Sequence, residues 1–211
     1  MSAVIIENIE KYKGRTMKLT LSEGEPVFVN ADIIAAYSLK AGLSVPEAAL
    51  KEILAADEKR KARERALYLL DCRDYSYVEM VNKLMNNYSE DTCYEVADEL
   101  AEKGFINDRR YAELLARRLC ESKLLGYFRA KPYMRERGIP MRIIEDALAE
   151  YADSAPERAA QLAEKKYMKY FDPSDRAMMQ KLKNALVRSG YGFRDIAEAV
   201  ELLKEEYPGE E

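Results

Sequence analysis

The residue types in this chain restrict the chemistry that it can perform. Its 211 residues include no histidine, so the commonest general base and a common zinc ligand are both absent. Cys72, Cys93 and Cys120 form no CxxC pair and are predicted to be small core residues in a reducing cytoplasm. Residues 189–192 are too short and too aromatic for a Gly-rich phosphate loop. We therefore predict a protein with no enzymatic activity, no cofactor and no metal site.

Charge is distributed unevenly along the chain. Residues 103–142 carry eleven Lys/Arg and four Asp/Glu, a local net charge of +7 in a chain whose total is −4. Residues 90–102 hold six acids and no base. This asymmetry favours a polyanionic or acidic partner for the middle of the chain, although mixed-charge helices with solvated faces would give the same composition.

Basic and aromatic side chains alternate between residues 125 and 142. Tyr127, Phe128 and Tyr133 interleave with basic residues, several of which would share roughly one side of a helix. Such a surface can bind phosphates and stack bases, or meet an acidic protein face. In the alternative interpretation the aromatic residues belong to the core and the arginines shield a corner. The predicted partner-binding residues are Arg109, Arg110, Arg129, Lys131, Arg135, Arg137 and Arg142.

The N-terminal part of the chain has the pattern of a small sheet followed by helices. Short β-branched or alternating segments predict two or three antiparallel strands. The predicted strands are residues 4–6, 17–21 and 26–29. Asn30 or Asp32 can cap a short helix that ends near Gly42. A further helix is predicted from Pro46 to about Leu70, with an exposed charged stretch inside it.

From residue 65 onward the pattern is helical throughout, in nine segments that form three trios. Ser76 and Glu79 form a capping box at one helix start. Asn107 is suited to cap another helix, just after a left-handed turn at Gly104. The predicted helices are residues 66–70, 76–85, 89–103, 108–124, 128–137, 140–151, 155–170, 174–188 and 192–204.

The three trios match one another in register. Leu84, Met134 and Leu186 each close a second helix, at spacings of 50 and 52 residues. A repeat of this period is typical of tandem units that bury each other's faces, although any helical protein gives some loose matches. The predicted divisions are residues 1–58 for a β-hairpin and helix segment, 59–106 for the first repeat, 107–152 for the second, and 153–211 for the third with an acidic tail.

An ordered set of residues in the first two trios carries a family resemblance. It begins as Ala66-Leu67-x-Leu69-Leu70-x-x-Arg73-x-Tyr75-Ser76-x-x-Glu79-x-x-x-Lys83-Leu84. It continues as Val96-x-x-x-Leu100-x-x-x-Gly104-Phe105-Ile106-Asn107-Asp108-x-x-Tyr111-Ala112, and then as Gly126 and Met134-x-x-x-Gly138-Ile139. This set resembles the RecX family of bacterial recombinase regulators. The match covers residues 60–150 well and the third trio loosely.

The resemblance implies a mainly α protein, with three tandem three-helix repeats in an elongated, curved body behind a small antiparallel β segment. It also implies a non-catalytic, monomeric, cytoplasmic regulator in DNA repair, homologous recombination and the SOS response. Its partner would be the RecA–single-stranded DNA filament, whose ATPase, strand exchange and growth it would inhibit, with free single-stranded DNA as a further partner and no membrane contact. Arg73 and Asp108 match residues typical of the family, and both can also serve to hold helix ends.

Two features depart from the family pattern. Pro132 lies inside a predicted helix and is expected to delay its start to about Lys131. The overall acidity suggests that the chief partner is the recombinase rather than DNA. A helix-turn-helix-like transcriptional regulator is the alternative function, but the third helices begin at residues 91–93, 141–143 and 193–195 with few base-reading side chains.

Overall fold

The computed structural model describes residues 3–208; residues 1–2 and 209–211, the last of the predicted acidic tail, lie outside the described residues. The chain forms two compact units. Unit 1 consists of the chain up to Arg73 together with Met80–Lys103. Unit 2 consists of Asp74–Glu79 and the chain from Gly104 onward.

The elements follow the predicted order, with a small sheet before the helices. The strands are β1 (Ala3–Lys13), β2 (Thr16–Leu21), β3 (Val27–Asn30) and β4 (Ser44–Pro46). The helices are α1 (Ala31–Ala36), α2 (Glu47–Cys72), α3 (Tyr77–Leu84), α4 (Glu90–Glu102), α5 (Asp108–Arg117), α6 (Tyr127–Glu136), α7 (Met141–Ala149), α8 (Ala155–Lys166), α9 (Arg176–Arg188) and α10 (Phe193–Glu206). A π-helical turn (Arg118–Ser122) extends α5, and a 3-10 turn (Met168–Tyr170) follows α8. The predicted class, mainly α with a small N-terminal antiparallel sheet, is confirmed.

The sheet of unit 1 has the antiparallel strand order β3-β2-β1-β4. Its buried side chains alternate along the strands, so one face packs on a core that includes Ile6, Leu19 and Ile53. The prediction of two or three strands was too low. Residues 44–46 were expected to open a helix, but they pair with β1, with Val45 opposite Val4. Burial of Val45 favours the strand, and the helix begins one residue after Pro46.

Buried Asp57 ties α2 to the end of β3. Its carboxylate accepts the backbone N–H of Asn30 at 3.0 Å and pairs with Lys61 Nζ at 2.6 Å. Burial opposes ionisation of Asp57, but these hydrogen bonds outweigh it and hold the pKa of the carboxyl below its usual value. Asn30 caps α1 by accepting the N–H of Asp32, as predicted, although α1 ends at Ala36 rather than near Gly42.

The charged stretch of α2 is not simply an exposed bridge. Lys59 pairs with Glu95 at 2.9 Å and Arg63 with Glu99 at 3.4 Å, so charges of α2 face those of α4. Glu58 also accepts the backbone N–H of Ser89 at the start of α4. The prediction missed these pairs because their partners lie 31 to 36 residues further along the chain.

Unit 2 contains two neighbouring helical cores, one for each of the last two trios. Met134 and Leu186, which hold equivalent positions in the predicted repeats, are both fully buried. The first core consists of Tyr111, Ala112, Leu115, Ala116, Leu119, Cys120, Ala130, Met134, Ile139, Ile144, Ala147 and Leu148. The second consists of Leu124, Ala155, Ala159, Ala160, Leu162, Ala163, Leu182, Leu186, Tyr191, Ile196, Ala199 and Leu203.

Pro132 does not delay α6, which already begins at Tyr127. A proline at this position leaves the carbonyl of Phe128 without its helical N–H donor. The helix nevertheless continues through the proline to Glu136.

The cysteine prediction is right for two of the three residues. Cys93 and Cys120 are buried, and burial raises the pKa of both thiols. Cys72 is exposed, because it lies in the last turn of α2 between exposed neighbours. The expectation of a core position for Cys72 was therefore wrong.

Candidate functional site

The start of α6 is capped by a distant turn rather than by its own side chains. The N–H of Gly126 donates to Ser189 O at 2.9 Å, and the N–H of Phe128 donates to Gly190 O at 3.0 Å. These carbonyls satisfy donors that a helix start otherwise leaves open. A Cβ on Gly126 would lie 2.2 Å from Gly190 O, so the two backbones are in contact.

An equivalent contact occurs one repeat earlier, at the start of α3. Ser76 Oγ donates to the carbonyl of Arg137, and a Cβ on Gly138 would lie 2.5 Å from Val78 Cβ. The turn after a second helix therefore packs on the start of the preceding second helix, in both cases within unit 2. The sequence indicated the turn glycines but not this contact. Gly126 could have indicated the contact, because a helix N-cap is usually Ser, Thr, Asp or Asn, and a glycine there leaves room for another part of the backbone.

Local capping followed the predictions. Ser76 Oγ accepts the N–H of Glu79 at 3.1 Å, and Glu79 Oε2 accepts the N–H of Ser76 at 3.3 Å, which completes the predicted capping box. Asn107 caps α5 by accepting the N–H of Arg110 at 3.0 Å. Asp108 accepts the N–H of Tyr77 at 2.8 Å and so holds the start of α3. Burial raises the pKa of Asp108, against the effect of this hydrogen bond.

An exposed side of α6 and the start of α7 present the predicted mixture of cations and aromatic rings. Tyr127, Phe128, Lys131, Pro132, Arg135 and Met141 surround a surface cavity of about 290 Å³. The rings of Tyr127 and Phe128 lie edge to face at 5.4 Å, and the Phe128 ring is largely exposed. Arg142 follows Met141 on the exposed start of α7. We call Tyr127, Phe128, Lys131, Arg135, Met141 and Arg142 the basic–aromatic surface.

Arg137 has a structural role outside this surface. Its Nη1 donates to Glu79 Oε1 at 3.0 Å and its Nη2 to Tyr133 OH at 3.1 Å. The guanidinium also lies 5.3 Å from the centre of the Tyr133 ring. Burial opposes the charge, but the bonds to Glu79 and Tyr133 outweigh it and raise the pKa of Arg137. Arg137 therefore stabilises the contact between α6 and the start of α3.

Four further predicted residues already have partners in unit 2. Lys131 Nζ donates to Glu145 Oε1 and to Tyr127 OH, both at 2.8 Å, and these bonds raise the pKa of Lys131. The remaining contacts join Arg129 to Arg188 O at 3.1 Å, Arg109 to Asp146 at 3.6 Å, and Arg110 to Asp74 at 3.2 Å. Apart from the half-buried Lys131, these side chains are exposed, so the contacts contribute little to stability.

Arg135 and Arg142 differ from the other five. Both side chains are exposed, and neither forms an ion pair or a side-chain hydrogen bond within residues 3–208. Their charges are therefore available to an external anion. Of the seven predicted residues, Lys131 and Arg135 line the surface cavity of about 290 Å³, Arg142 is exposed next to Met141 in the chain, and the others have contacts elsewhere in unit 2.

The described part of the chain contains neither a metal-binding cluster nor a membrane-spanning helix. Within residues 3–208 no cluster of three or more Cys, Asp or Glu side chains has the arrangement of a metal site. None of the helices between those residues is both long enough and apolar enough to cross a membrane.

Comparison with known proteins agrees with this architecture. A protein-family model described as the RecX third three-helix domain matches residues 153–200. The regulatory protein RecX of Geobacillus kaustophilus is 30% identical over 171 residues, covering 80% of this chain and 64% of the relative. The regulatory protein RecX of Streptococcus sanguinis is 28% identical over 206 residues, covering 94% and 77%. The chain thus spans less than two thirds of the Geobacillus relative.

Solved structures show the same fold. A crystal structure of a regulatory protein RecX aligns with a TM-score of 0.72 at 23% identity, covering 94% of this chain and 98% of that one. The crystal structure of RecX from Lactobacillus salivarius aligns with a TM-score of 0.67 at 30% identity, covering 71% and 99%. The fold is that of a mainly helical regulatory protein in which a small sheet precedes three-helix units. The chain belongs to the RecX family of regulatory proteins.

Proposed function

We propose that this protein binds the RecA–single-stranded DNA filament and inhibits its ATP hydrolysis, strand exchange and growth. The observation that carries the proposal is membership of the RecX family, whose relatives are named regulatory proteins. The exposed basic–aromatic surface supports it, because a filament offers both DNA phosphates and protein surface. Since the partner would act on DNA, the proposal places the protein in the cytoplasm. We further propose that it acts as a monomer.

Within the proposed interface the side chains have different roles. Arg135 and Arg142 would meet phosphates or acidic side chains, and their contribution would fall with rising salt. Phe128 would supply an apolar or stacking contact, because it is large and mostly exposed. Lys131 is held by Glu145 and Tyr127, so it would position the surface rather than provide a free charge.

We also propose the division of the chain into residues 1–58, 59–106, 107–152 and 153–211. The repeated contact of a turn glycine with the start of the preceding second helix supports this division. In that arrangement each repeat completes the helix start of its predecessor, through Gly138 in one case and Gly190 in the other.

A helix-turn-helix-like transcriptional regulator is the second candidate. One observation favours it: Arg142 and Arg194 are exposed in the first turns of third helices. Two observations count against it. Arg194 is held by Glu198 at 2.8 Å, and Thr92 at the start of α4 is buried. Sequence-specific binding to duplex DNA that persists at moderate salt would favour this candidate.

The first experiment is a pull-down with the immobilised protein. RecA is applied alone, with single-stranded DNA, and with single-stranded DNA and a non-hydrolysable ATP analogue. We expect strong retention only in the last case, because only that mixture contains stable filaments. Equal retention without DNA would indicate binding to free RecA, and absence of retention in all three cases would contradict the proposal.

A charge-reversal variant shows whether the basic–aromatic surface is responsible. Arg135→Glu/Arg142→Glu removes the two unpaired cations and is expected to abolish filament retention. The matched control is Lys166→Glu/Lys183→Glu, which makes the same charge change at exposed positions of α8 and α9. If both variants lose retention equally, the effect is one of net charge and this surface is not the interface.

A further inference from the structure

A cavity of about 350 Å³ lies within unit 2, beside the basic–aromatic surface. The start of α6, the end of α7 and the start of α8 form most of its wall, and Asp195 of α10 completes it. The wall is mainly apolar, with the rings of Tyr127, Phe128 and Tyr151 among its residues. Its size and lining are those of a small-ligand site, which needs a few polar groups to orient what it binds.

Arg158 supplies such a polar group. Its side chain lines the cavity and the residue is only 9% exposed. Its terminal nitrogens donate to Ser154 Oγ and, at 2.8 Å, to the carbonyl of Tyr151, both neutral acceptors. Its Nε has no acceptor within residues 3–208 but is shielded from solvent, so a ligand in the cavity would meet the terminal nitrogens. No carboxylate in that range pairs with the guanidinium. A buried cation without a counter-ion is costly, so this arrangement favours an anion.

An exposed aromatic ring lines the cavity, and a second lies nearby in the chain, at the start of α10. Phe193 is 83% exposed and Phe128 is 66% exposed. A Cβ on Gly192, the neighbour of Phe193, would lie 3.8 Å from Phe128 Cε2, so the start of α10 lies beside the Phe128 ring. Exposed aromatic rings beside a cavity are typical of binding sites rather than of ordinary protein surface.

Two carboxylates in the wall restrict the charge of the ligand. Glu145 is neutralised by Lys131 at 2.8 Å. Asp195 accepts the N–H of Gly192 at 3.2 Å and has no ion pair within the described part of the chain. Asp195 would repel a phosphate dianion more strongly than a single carboxylate. A ligand with a single negative charge therefore fits this cavity better than a nucleotide or a DNA strand, whose phosphates bring several negative charges.

We propose that this cavity binds a single carboxylate attached to an aromatic or branched apolar group. The apolar group occupies the cavity against its aromatic lining, and the carboxylate accepts hydrogen bonds from the terminal nitrogens of Arg158. Such a ligand is either a free aromatic carboxylic acid or the terminal aromatic residue of a partner peptide. The site does not depend on the function proposed above.

N-acetyltryptophan is a suitable probe because the protein contains no tryptophan, so indole fluorescence reports the ligand alone. We expect a saturable change on titration with the full chain. N-acetyltryptophanamide, which lacks the carboxylate, is expected to bind about tenfold more weakly or worse, as for a lost hydrogen bond to a charged group. Absence of saturation, or equal affinity for the amide, would overturn the proposal.

Two variants locate the binding. Ala152→Leu fills the cavity from its exposed edge without altering Arg158, and Arg158→Lys keeps the charge but loses the planar fork. Both are expected to weaken binding about tenfold. Helical circular dichroism unchanged from the wild type shows that they fold. Wild-type affinity in Ala152→Leu would overturn the proposal even if Arg158→Lys failed to fold.

Competition distinguishes the sources of the ligand. A short peptide ending in a free-acid tryptophan displaces the probe if partner peptides bind here, whereas its amidated form does not. If neither peptide competes while the free acid binds, the ligand is a small molecule. Displacement by single-stranded oligonucleotide at equal potency would place the cavity in a nucleic-acid interface and overturn the carboxylate assignment.

Discussion

Replacing Gly126 by alanine should destabilise unit 2 more than its backbone conformation alone would suggest. Gly126 has φ −77° and ψ 168°, which alanine adopts without strain. The obstacle is steric, because the new Cβ would lie 2.2 Å from Gly190 O and 2.5 Å from Tyr191 N. Both contacts are with backbone atoms, which cannot rotate away as a side chain would.

The magnitude follows from the displacement that the methyl group requires. The turn at Gly190 must move by about 1 Å before the contact reaches an ordinary van der Waals distance. Overpacking of this kind costs about 1–3 kcal/mol. The same movement weakens the hydrogen bonds from Gly126 and Phe128, each contributing about 1 kcal/mol. We expect a loss of about 3–5 kcal/mol in the free energy of unfolding of unit 2.

Gly104→Ala is the matched control in the same unit. Gly104 has φ +74°, but a Cβ there would meet no atom within 4 Å. Its cost is therefore left-handed backbone strain alone, about 1–2 kcal/mol. If backbone conformation alone decided stability, Gly104→Ala would be the more destabilising change. If the steric contact decides, Gly126→Ala is the more destabilising one.

Urea unfolding followed by far-ultraviolet circular dichroism measures both variants against the wild type. Two compact units can unfold in separate transitions, so each curve is first tested for two-state behaviour. The expected result is a lower midpoint for Gly126→Ala than for Gly104→Ala. If Gly126→Ala matches the wild type, or loses no more than Gly104→Ala, the backbone contact does not hold the repeats together as described.

Three further predictions concern charged side chains. In urea unfolding, Arg137→Ala should cost about 2–3 kcal/mol of stability because it removes charge-assisted hydrogen bonds. Arg135→Ala, the control, should cost less than about 0.5 kcal/mol. Asp108→Ala should lower the free energy of unfolding by about 1–2 kcal/mol, because the N–H of Tyr77 loses its acceptor. Asp108→Asn keeps an acceptor without the buried charge and should cost less in the same assay. The folded-state pKa of Asp57 is lowered, so its stabilising contribution is present above the unfolded-state pKa and is lost as pH falls through the folded-state value. Asp57→Asn should therefore lower the free energy of unfolding at neutral pH. In urea titrations this deficit should shrink below about pH 4.

Features set by neighbouring residues could be predicted from the sequence. The capping box at Ser76 and the cap at Asn107 depend on groups within three residues, and the structure contains both. The positive φ at Gly104 and the helix segments follow equally local rules. The apolar positions of the repeat were also visible, since Met134 is fully buried as its spacing indicates.

Features that join distant parts of the chain could not be predicted. The fourth strand exists because Val45 meets Val4, about 40 residues earlier. Arg137 was grouped with the binding residues because its partner Glu79 is 58 positions away. Its charge alone does not distinguish it from Arg135, which has no ion-pair partner among residues 3–208. Only the three-dimensional contacts separate the structural arginine from the available one.

The most direct test of the central claim is ATP hydrolysis by RecA on single-stranded DNA, with this protein titrated in. The proposal predicts progressive inhibition by the wild type and by Lys166→Glu/Lys183→Glu. Arg135→Glu/Arg142→Glu, folded as judged by circular dichroism, should inhibit far less. Unchanged ATP hydrolysis with the wild type in stoichiometric excess would contradict the proposed function. Full inhibition by Arg135→Glu/Arg142→Glu would contradict the assignment of the interface.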